Sequence, residues 1–436
     1  YCEVQPERVT SPAKSRQAGQ PNTPGPFPPP SFASRPTGPI SIADLFMPGQ
    51  YELVVAWLAE AHAAMEAMAA GMYRRVPTLI LGQDALQPWA HGVIWDCRDA
   101  TDCVPCEPSD RDYQPPGAHL MNRAAFREMA SANGVTDANI ISTAGEGGVE
   151  STSTTSLDIV LSFHHAGFGA QFEAGASVID ADVAAEFVSS PWQWLPFVPA
   201  KLGPRNVIMQ TRSRIVAGGE VQEYEKPRVT FDLSDGARAT PAAVNSALPA
   251  PDHRPLSVNA GVHADRKTVS LPSAVGFGQC VGVAQVPARQ ASVQLGVASV
   301  DASNAYTHLL NQRLDWWLHC FVWRHGVHWS YRVVFGGAWG PACFTDVCAV
   351  LRAETQRRIT LFEAAQPPPP GALAWSEARR ELQRRGEMPP GEHQCVAHGL
   401  RQFIDDANMW GLLDRVVVPP ELEHVLLDLS LTVAAG

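Results

Sequence analysis

The stretch Gln402-Phe403-Ile404-Asp405-Asp406 places two carboxylates side by side directly after apolar residues. Their like charges repel, and no element of secondary structure requires them to be adjacent. A pair of Mg²⁺ ions would explain them, because hard cations bind carboxylate oxygens together with the phosphate oxygens of a substrate. A solvated acidic turn is the alternative. A third carboxylate at the end of a strand would favour the metal site.

Such a third carboxylate stands at Asp301. The apolar segment 294–300 predicts a strand that ends on this residue. A second strand is predicted over 394–403, and the chain continues past the Asp405-Asp406 turn into 407–415. Three carboxylates at strand ends are therefore candidates for a shared metal site.

Composition and charge limit the functional classes. The chain has 436 residues, of which 45% are hydrophobic, so it is long enough for two or three domains or for one large multi-lobed unit. The formal net charge is −11, which is unfavourable for a generic nucleic-acid binder and directs attention to local basic segments. No uncharged apolar run reaches the ~18 residues of a membrane span, so we expect no membrane partner.

The cysteines favour an intracellular setting. Their number, nine, is odd, which is typical of reduced thiols, and the choice between nucleus and cytoplasm stays open. Cys97, Cys103 and Cys106 form a close group that lacks a clear fourth ligand. A cysteine-containing loop is therefore favoured there over a zinc site.

The N-terminal part divides into a tail and a helical region. Residues 1–40 are rich in Pro, Gly, Ser and Thr and predict a disordered tail. Residues 41–194 predict a mainly helical region without an assigned role, including helices over 51–73 and 122–133. The pair His164-His165 is interpreted as packed and hydrogen-bonded rather than metal-bound.

A basic hairpin follows. Strands are predicted over 207–216, where Arg212 and Arg214 alternate on one face, and over 221–233, which contains Lys226 and Arg228. A solvated hairpin and a phosphate-binding finger are the two interpretations of this segment.

Several further elements are predicted downstream. In chain order, they are loops and short strands over 234–290, a helix after Tyr306, strands over 320–323 and 331–334, a Gly-rich loop over 335–341, a helix over 342–352 and an amphipathic helix over 420–431.

Four segments in this order resemble the fingers and palm of a retroelement reverse transcriptase of the retrotransposon type. They are Lys226-Pro227-Arg228 with Asp232-Leu233-Ser234, then Asp301-Ala302-Ser303-Asn304-Ala305-Tyr306, then Phe335-Gly336-Gly337 with Gly340-Pro341 and Phe344, and finally Phe403-Ile404-Asp405-Asp406. Each motif alone is weak, whereas four in the correct order are specific.

The resemblance implies an α+β right-hand polymerase fold with an antiparallel palm sheet backed by helices. Fingers would occupy 195–293 and the palm 294–436, with a Pro-rich insertion near 366–390. Because the chain starts at Tyr1 and stops soon after the last motif, we expect a fragment or processed product without the thumb of the family.

The implied function is RNA-directed DNA polymerisation with two Mg²⁺ ions, for which Mn²⁺ is a substitute. The partners would be dNTP and an RNA or DNA template with its primer, and the oligomeric state stays open. The implied metal ligands are Asp301, Asp405 and Asp406, with the carbonyl of Ala302 as an extra ligand. The implied substrate-binding residues are Lys226, Arg228 and Arg214 at the triphosphate, Tyr306 at the sugar, and Phe335 and Gly336 in the supporting loop.

Two alternatives remain. The net charge, the missing thumb and the unusual Ala338-Trp339 favour a catalytically degenerate fragment, which binds nucleic acid or only folds. A viral-type RNA-dependent RNA polymerase is disfavoured by Tyr306, because that class usually places there an Asp that binds the ribose 2′-hydroxyl. Two positions depart from the family pattern, namely Asn304 and Phe403.

Overall fold

A computed structural model of the protein describes most of the chain. The described residues are 36–107, 121–136, 148–151, 153–215, 220–235, 256–264, 274–301, 305–365, 370–387, 398–403 and 406–412. They fall into two compact units, a larger one within 31–270 and 302–351 and a smaller one within 271–301 and 352–425. Both units combine helices with strands, so the predicted α+β class is confirmed.

The larger unit contains a five-stranded sheet of short strands. In spatial order these are β1 (Leu79–Leu81), β4 (Ile159–Leu161), β6 (Lys201–Leu202), β10 (Cys320–Trp323) and β11 (Gly326–Trp329). The strand β6 pairs in parallel with both of its neighbours, and the outer pairs are antiparallel. A separate small sheet joins β2 (Trp95–Asp96) to β3 (Val104–Pro105) and β5 (Phe197–Val198).

Aromatic side chains fill the core around β10 and β11, whose residues are all buried. The ring of Trp329 meets that of Phe197 edge-on at 5.5 Å and stacks on that of Trp316 at 6.2 Å. Large rings bury much apolar surface, so this cluster supplies much of the hydrophobic stabilisation of the unit.

The α-helices described wholly within the larger unit are α1 (Gln50–Ala69), α2 (Arg123–Ala132), α3 (Ala166–Ala170), α4 (Phe172–Ala184) and α5 (Val258–Gly261). Along α1, which confirms the helix predicted over 51–73, the buried positions recur at helical spacing. In α2, the predicted start is confirmed, since the side chain of Asn122 accepts a hydrogen bond from the backbone N–H of Ala125.

The predicted basic hairpin is confirmed. The strands β7 (Arg205–Ile215) and β8 (Val221–Phe231) pair antiparallel along their whole length. Its base is fixed in the core, because the guanidinium of buried Arg205 lies 4.0 Å from the ring centroids of both Phe231 and Phe321. The residues of β8 become exposed toward Val221.

The smaller unit contains a three-stranded antiparallel sheet in the order β12 (His398–Phe403), β13 (Asp406–Leu412) and β9 (Leu295–Asp301). Its helices are α6 (Ala274–Gln290) and α8 (Pro370–Arg384), and α7 (Gly340–Ala365) runs from the larger unit into the smaller one. Ala284 and Ala288 of α6 pack against Trp375 of α8, whose Nε1–H donates to the carbonyl of Ala284 at 3.0 Å.

Several predicted elements differ from the structure. Residues 274–290 form α6 instead of loops and short strands; Pro287 lies near the end of the helix, where it did not prevent helix formation. The predicted strand 331–334 is wrong, because the chain turns tightly after Trp323 and pairs Gly326–Trp329 instead. After Asp301 only a 3₁₀ turn, Ala305–His308, is described where a helix was expected.

Each compact unit combines segments that are far apart in the chain. The five-stranded sheet takes β1 and β4 from the N-terminal region and β10 and β11 from the predicted palm. Pairing of these distant segments places all four in one unit, a long-range effect that local sequence patterns do not report.

Some predictions fall on residues outside the described ones. They are most of the Pro-rich tail, Ala302, Asn304, Asp405, the 366–369 and 388–390 parts of the insertion, the start of the strand predicted over 394–403 and the helix over 420–431.

Candidate active site

The acidic pair is formed by the smaller sheet. Asp301 is the last residue of β9, Asp406 is the first residue of β13, and the two are register partners. Across the other side of β13, Asp406 pairs with Phe403, which leaves Ile404 and Asp405 between the strands and outside the described residues. Facing Cα atoms in such pairs are about 4.5–5.5 Å apart.

The local sequence accounts for this register. Val297 and Val300 favour a strand in β9, and the pairing continues without interruption from Asp301 and Asp406 to Leu295 and Leu412. Facing positions of an antiparallel pair share one face of the sheet. Two acidic positions that face each other are unfavourable for the sheet alone, so the donor set fits a divalent metal ion.

The larger unit brings together four of the predicted substrate-binding positions. The ring of Tyr306 meets that of Phe335 edge-on at 4.9 Å and that of Phe344 at 6.1 Å. The guanidinium of Arg228 lies 5.2 Å from the centroid of the Phe335 ring. Gly336 continues the same loop, so Arg228, Tyr306, Phe335 and Gly336 form one cluster.

Arg228 is half-buried and is held by neutral groups. Its Nε–H donates to Oε1 of Gln210 at 3.4 Å, and the aromatic ring of Phe335 lies next to its guanidinium. No ion pair to Arg228 occurs in the part of the chain that the structure describes. The planar donor fork of a guanidinium matches the oxygens of an anionic ligand such as a phosphate.

The other two basic candidates lie on the same hairpin. Lys226 is half-buried and faces Gln210 in the register, and Arg214 faces Gln222 near the distal end. Only the backbone of Arg214 is described. The hairpin therefore carries all three predicted phosphate-binding residues, with Arg228 nearest to the Phe335 loop.

Gly336 is required by the loop geometry. Its φ is 114°, a region that other residues rarely adopt, and a Cβ built on it would lie 1.9 Å from the carbonyl oxygen of Phe231. The backbone of the loop is also tied to β8, because the N–H of Phe231 donates to the carbonyl of Phe335 at 2.7 Å. The Phe-Gly pair is thus packed directly against the end of the basic hairpin.

His164, the first residue of the histidine pair, is packed and hydrogen-bonded, as predicted from the sequence. The Nδ1 of His164 accepts the backbone N–H of Arg205 at 3.0 Å, and its Nε2 lies 2.7 Å from the carbonyl oxygen of Val322. Burial lowers the pKa of His164 to about 3, so the ring is neutral. His165 instead pairs with Asp232, with Nε2 and Oδ2 separated by 3.1 Å.

The sequence placed Asp232 in a motif but gave it no partner, and it gave Asn259 no role. Asp232 pairs with His165, and its Oδ1 accepts the backbone N–H of Ser234 at 3.1 Å. Asn259 bonds the Gly336 loop through its side chain. No local sequence signal distinguished Asn259, because its loop partners lie far along the chain.

Two negative findings concern the described residues only. Within them, no group of three or more His, Cys, Asp or Glu side chains is arranged to hold a metal ion. The cysteines Cys97, Cys103 and Cys106 are among the residues searched, and they are free thiols. No helix in these ranges is long and apolar enough to cross a membrane.

The predicted site residues thus divide between the two units. The acidic positions 301 and 406 lie in the smaller unit, and the cluster around Phe335 lies in the larger one. Asp405 and Ala302 lie outside the described residues, so their assignment as ligands stays a prediction.

Comparison with known proteins gives structural likeness alone. No protein-family model matches the chain, and no curated protein matches it in sequence. The native protease–reverse transcriptase of Prototype Foamy Virus is similar over 60% of this chain and 23% of its own, with 13% identity and a TM-score of 0.28. The foamy viral protease–reverse transcriptase in complex with dsDNA is similar over 60% of this chain and 36% of its own, with 12% identity and a TM-score of 0.25. Its dRH form in complex with dsDNA is similar over 76% of this chain and 48% of its own, with 11% identity and a TM-score of 0.31.

The chain spans between about a quarter and a half of the length of these structures. Because the TM-scores and identities are low, the function proposed below rests on the residues of this chain and on their arrangement.

Proposed function

We propose that this chain is the fingers and palm part of a retrotransposon-type reverse transcriptase, an RNA-directed DNA polymerase. The observation that carries the proposal is the pairing of Asp301 with Asp406 at the ends of adjacent antiparallel strands. Asp301 and Asp406 are register partners in the backbone, and Asp405 is next to Asp406 in sequence, which supports a shared role for these three motif residues.

The roles of the residues follow from their chemistry. Asp301, Asp405 and Asp406, with the carbonyl of Ala302, would hold two Mg²⁺ ions, for which Mn²⁺ is a substitute. When bound, such ions activate the attacking hydroxyl and stabilise the leaving oxygen of a nucleotidyl transfer. The negative charge of the carboxylates would attract the Mg²⁺ ions and so determine where the ions bind.

The residues of the larger unit would bind the nucleotide and the nucleic acid. Arg228 and Lys226, supported by Arg214, would neutralise the triphosphate of a dNTP. The ring of Tyr306 would lie under the sugar and exclude a 2′-hydroxyl. Phe335 and Gly336 would support the nucleotide and the primer–template.

A catalytically degenerate domain, which binds nucleic acid or only folds, is the second candidate, and the net charge of −11 favours it over a working polymerase. It predicts no extension of a primed template. The third candidate, a viral-type RNA-dependent RNA polymerase, predicts incorporation of NTP in preference to dNTP.

Primer extension by the 436-residue chain separates these functions. Primed RNA and DNA templates are supplied with dNTP or NTP, in Mg²⁺ and then in Mn²⁺. We expect dNTP incorporation on the RNA template, with a loss of about 100-fold or more in Asp301→Asn, because metal-stabilised charge contributes several kcal/mol. The matched control is Asn408→Ala, two residues beyond Asp406 on the same strand, which should retain activity.

Two results would overturn the proposal. Template binding without extension in either metal would establish the degenerate fragment, and a preference for NTP would establish the RNA polymerase.

A further inference from the structure

Backbone hydrogen bonds hold Asn259 in place independently of its side chain. It lies in α5, where the Oγ of Ser257 caps the turn by accepting the backbone N–H of Ala260 at 3.1 Å. Its backbone N–H donates to the carbonyl of Leu233 at 3.0 Å, just after β8. The side chain therefore starts from a defined position beside the motif Asp232-Leu233-Ser234.

The side-chain amide of Asn259 then bonds the Gly-rich loop at two points. Its Nδ2 donates to the carbonyl of Gly336 at 2.8 Å, and its Oδ1 accepts the backbone N–H of Ala338 at 2.8 Å. The same Nδ2 donates to the Oγ of Ser234 at 3.0 Å. One amide thus supplies both a donor and an acceptor to the loop, which neither Asp nor Leu can do.

The loop has few other restraints at these two residues. Its remaining backbone hydrogen bonds run from Gly337 to Val334, from Gly340 to Gly337 and from Phe231 to Phe335. They fix its two ends and leave the carbonyl of Gly336 and the N–H of Ala338 to Asn259. Since Gly336 also adopts a positive φ, the central peptide units depend on this side chain for their orientation.

We infer that Asn259 is a positioning residue that holds the 335–338 loop so that Phe335 faces both Arg228 and Tyr306. The inference rests on the proposed function, in which Arg228 and Tyr306 contact the nucleotide. Asn259 itself acts through the loop.

The test uses two substitutions of different chemistry in the full chain. Asn259→Ala removes the donor and the acceptor, whereas Asn259→Asp keeps an acceptor for the Ala338 N–H and loses the donor to Gly336. Asn133→Ala is the matched control, because the side chain of Asn133 also donates a hydrogen bond to a backbone carbonyl, that of Met129 at 2.7 Å in the C-terminal turn of α2.

Two readouts are measured: residue-resolved amide hydrogen exchange and the KM for dNTP. We expect the Ala338 amide to exchange about tenfold faster in Asn259→Ala and near the wild-type rate in Asn259→Asp. We expect the KM to rise about tenfold in both variants, with a smaller change in kcat, since both lose the bond to Gly336. The control should match the wild type in both readouts.

Each contrary result has a distinct meaning. Unchanged exchange at Ala338 in Asn259→Ala would contradict the role of Asn259 in ordering the loop. Equal acceleration at the amide of Val327 in β11, which donates to the carbonyl of Trp192, would also contradict it, because the loop would then open only together with the rest of the fold. Faster exchange at Ala338 with an unchanged KM would overturn the positioning role. A wild type without nucleotide incorporation would refute the proposed function instead, and the exchange at Ala338 would still decide whether Asn259 orders the loop.

Discussion

Asp406 faces Asp301 directly across the antiparallel pair formed by β13 and β9. Facing like charges destabilise a sheet by about 0.2–1 kcal/mol, so the pair opposes folding until a cation neutralises it. The proposed metal site therefore predicts that this pair lowers stability in the absence of a divalent ion and raises it when the ion is present.

Neutralising one acid should reveal this reversal. In a metal-free buffer we expect the free energy of unfolding of Asp406→Asn to exceed that of the wild type by about 0.2–1 kcal/mol. Added Mg²⁺ should stabilise the wild type, because a ligand that binds only the folded state shifts the unfolding equilibrium, and should stabilise the variant much less. Urea denaturation at several Mg²⁺ concentrations measures both effects.

Asn408→Ala is the control for this experiment, since residue 408 pairs with Ser299 two positions along the same strands. It should respond to Mg²⁺ as the wild type does. Equal metal stabilisation of wild type and Asp406→Asn would contradict the assignment of this pair as metal ligands.

Arg228 should affect nucleotide binding more than folding. Arg228→Ala removes a charged donor that, among the described residues, is held by Gln210 and by the ring of Phe335. We expect kcat/KM for dNTP to fall by roughly 10- to 100-fold, the ~1.5–3 kcal/mol of a charged hydrogen bond. Steady-state kinetics and urea denaturation are measured on the same preparations.

Arg75→Ala, at an exposed arginine outside the hairpin, is the matched control and should leave the kinetics unchanged. A large loss of stability in Arg228→Ala with unchanged kinetics would instead identify Arg228 as a structural residue of the hairpin.

The sequence predicted the elements whose signals are local. Alternation and a turn defined the β7–β8 hairpin, and an apolar run ending on Asp301 defined β9 almost to the residue. The Phe335 cluster was expected from the order of the motifs, yet the edge-on contact of Tyr306 with Phe335 follows only from the fold.

The remaining features depend on long-range pairing. The sheet order β1-β4-β6-β10-β11 joins segments more than two hundred residues apart, which no short pattern reports. Asn259 was missed for the same reason, because its partners lie at Gly336 and Ala338, far along the chain. Local propensity was also overridden at Pro287, which lies inside α6.

Gly336 should tolerate no side chain. In Gly336→Ala the new Cβ would overlap the carbonyl oxygen of Phe231 at a φ of 114°, so the loop must move or the hairpin end must shift. Backbone strain of this kind costs about 1–3 kcal/mol, and the overlap adds to it. We expect a loss of at least that size in the free energy of unfolding measured by urea denaturation.

The control for this substitution is Gly282→Ala, because Gly282 is exposed on α6 and a Cβ there meets nothing within 4 Å. Replacing a helical glycine by alanine should be neutral or stabilising by up to about 1 kcal/mol. Equal stability of Gly336→Ala and wild type would refute the account of the loop.

Buried His319 should make the protein sensitive to acid. Burial, with a smaller contribution from Arg205, lowers the pKa of His319 from 6.5 to about 3. The unfolded chain therefore binds a proton below pH 6.5 that the folded protein does not bind, so stability is fully present above pH 6.5 and is lost as the pH falls toward 3. Each such proton contributes a slope of about 1.4 kcal/mol per pH unit.

His319→Phe should reduce this slope by about one proton while keeping a ring against Trp339, whose centroid lies 5.2 Å away. Neither ring nitrogen of His319 has a hydrogen-bond partner among the described residues, so the substitution breaks no hydrogen bond there. Urea denaturation between pH 4 and 7 gives the slope, with exposed His325→Gln as the control. An unchanged slope in His319→Phe would show that the histidine is not buried in its neutral form.

Tyr306 should decide between deoxyribose and ribose. It is half-buried between Phe335 and Phe344, in the 3₁₀ turn Ala305–His308 that begins four residues after Asp301. A planar ring under the incoming sugar would clash with a 2′-hydroxyl and pack against deoxyribose. Tyr306→Val should therefore improve NTP incorporation relative to dNTP by tenfold or more, about 1.4 kcal/mol per tenfold change.

The matched control is Tyr306→Phe, which keeps the ring and both edge-on contacts and loses only the hydroxyl. It should retain the selectivity of the wild type, because the proposed clash comes from the ring and not from its oxygen. The ratio of kcat/KM for dNTP and NTP, measured on one primed template, gives the answer for all three proteins. Equal selectivity of Tyr306→Val and wild type would make Tyr306 a packing residue of the Phe335 cluster and would remove the argument for DNA synthesis over RNA synthesis.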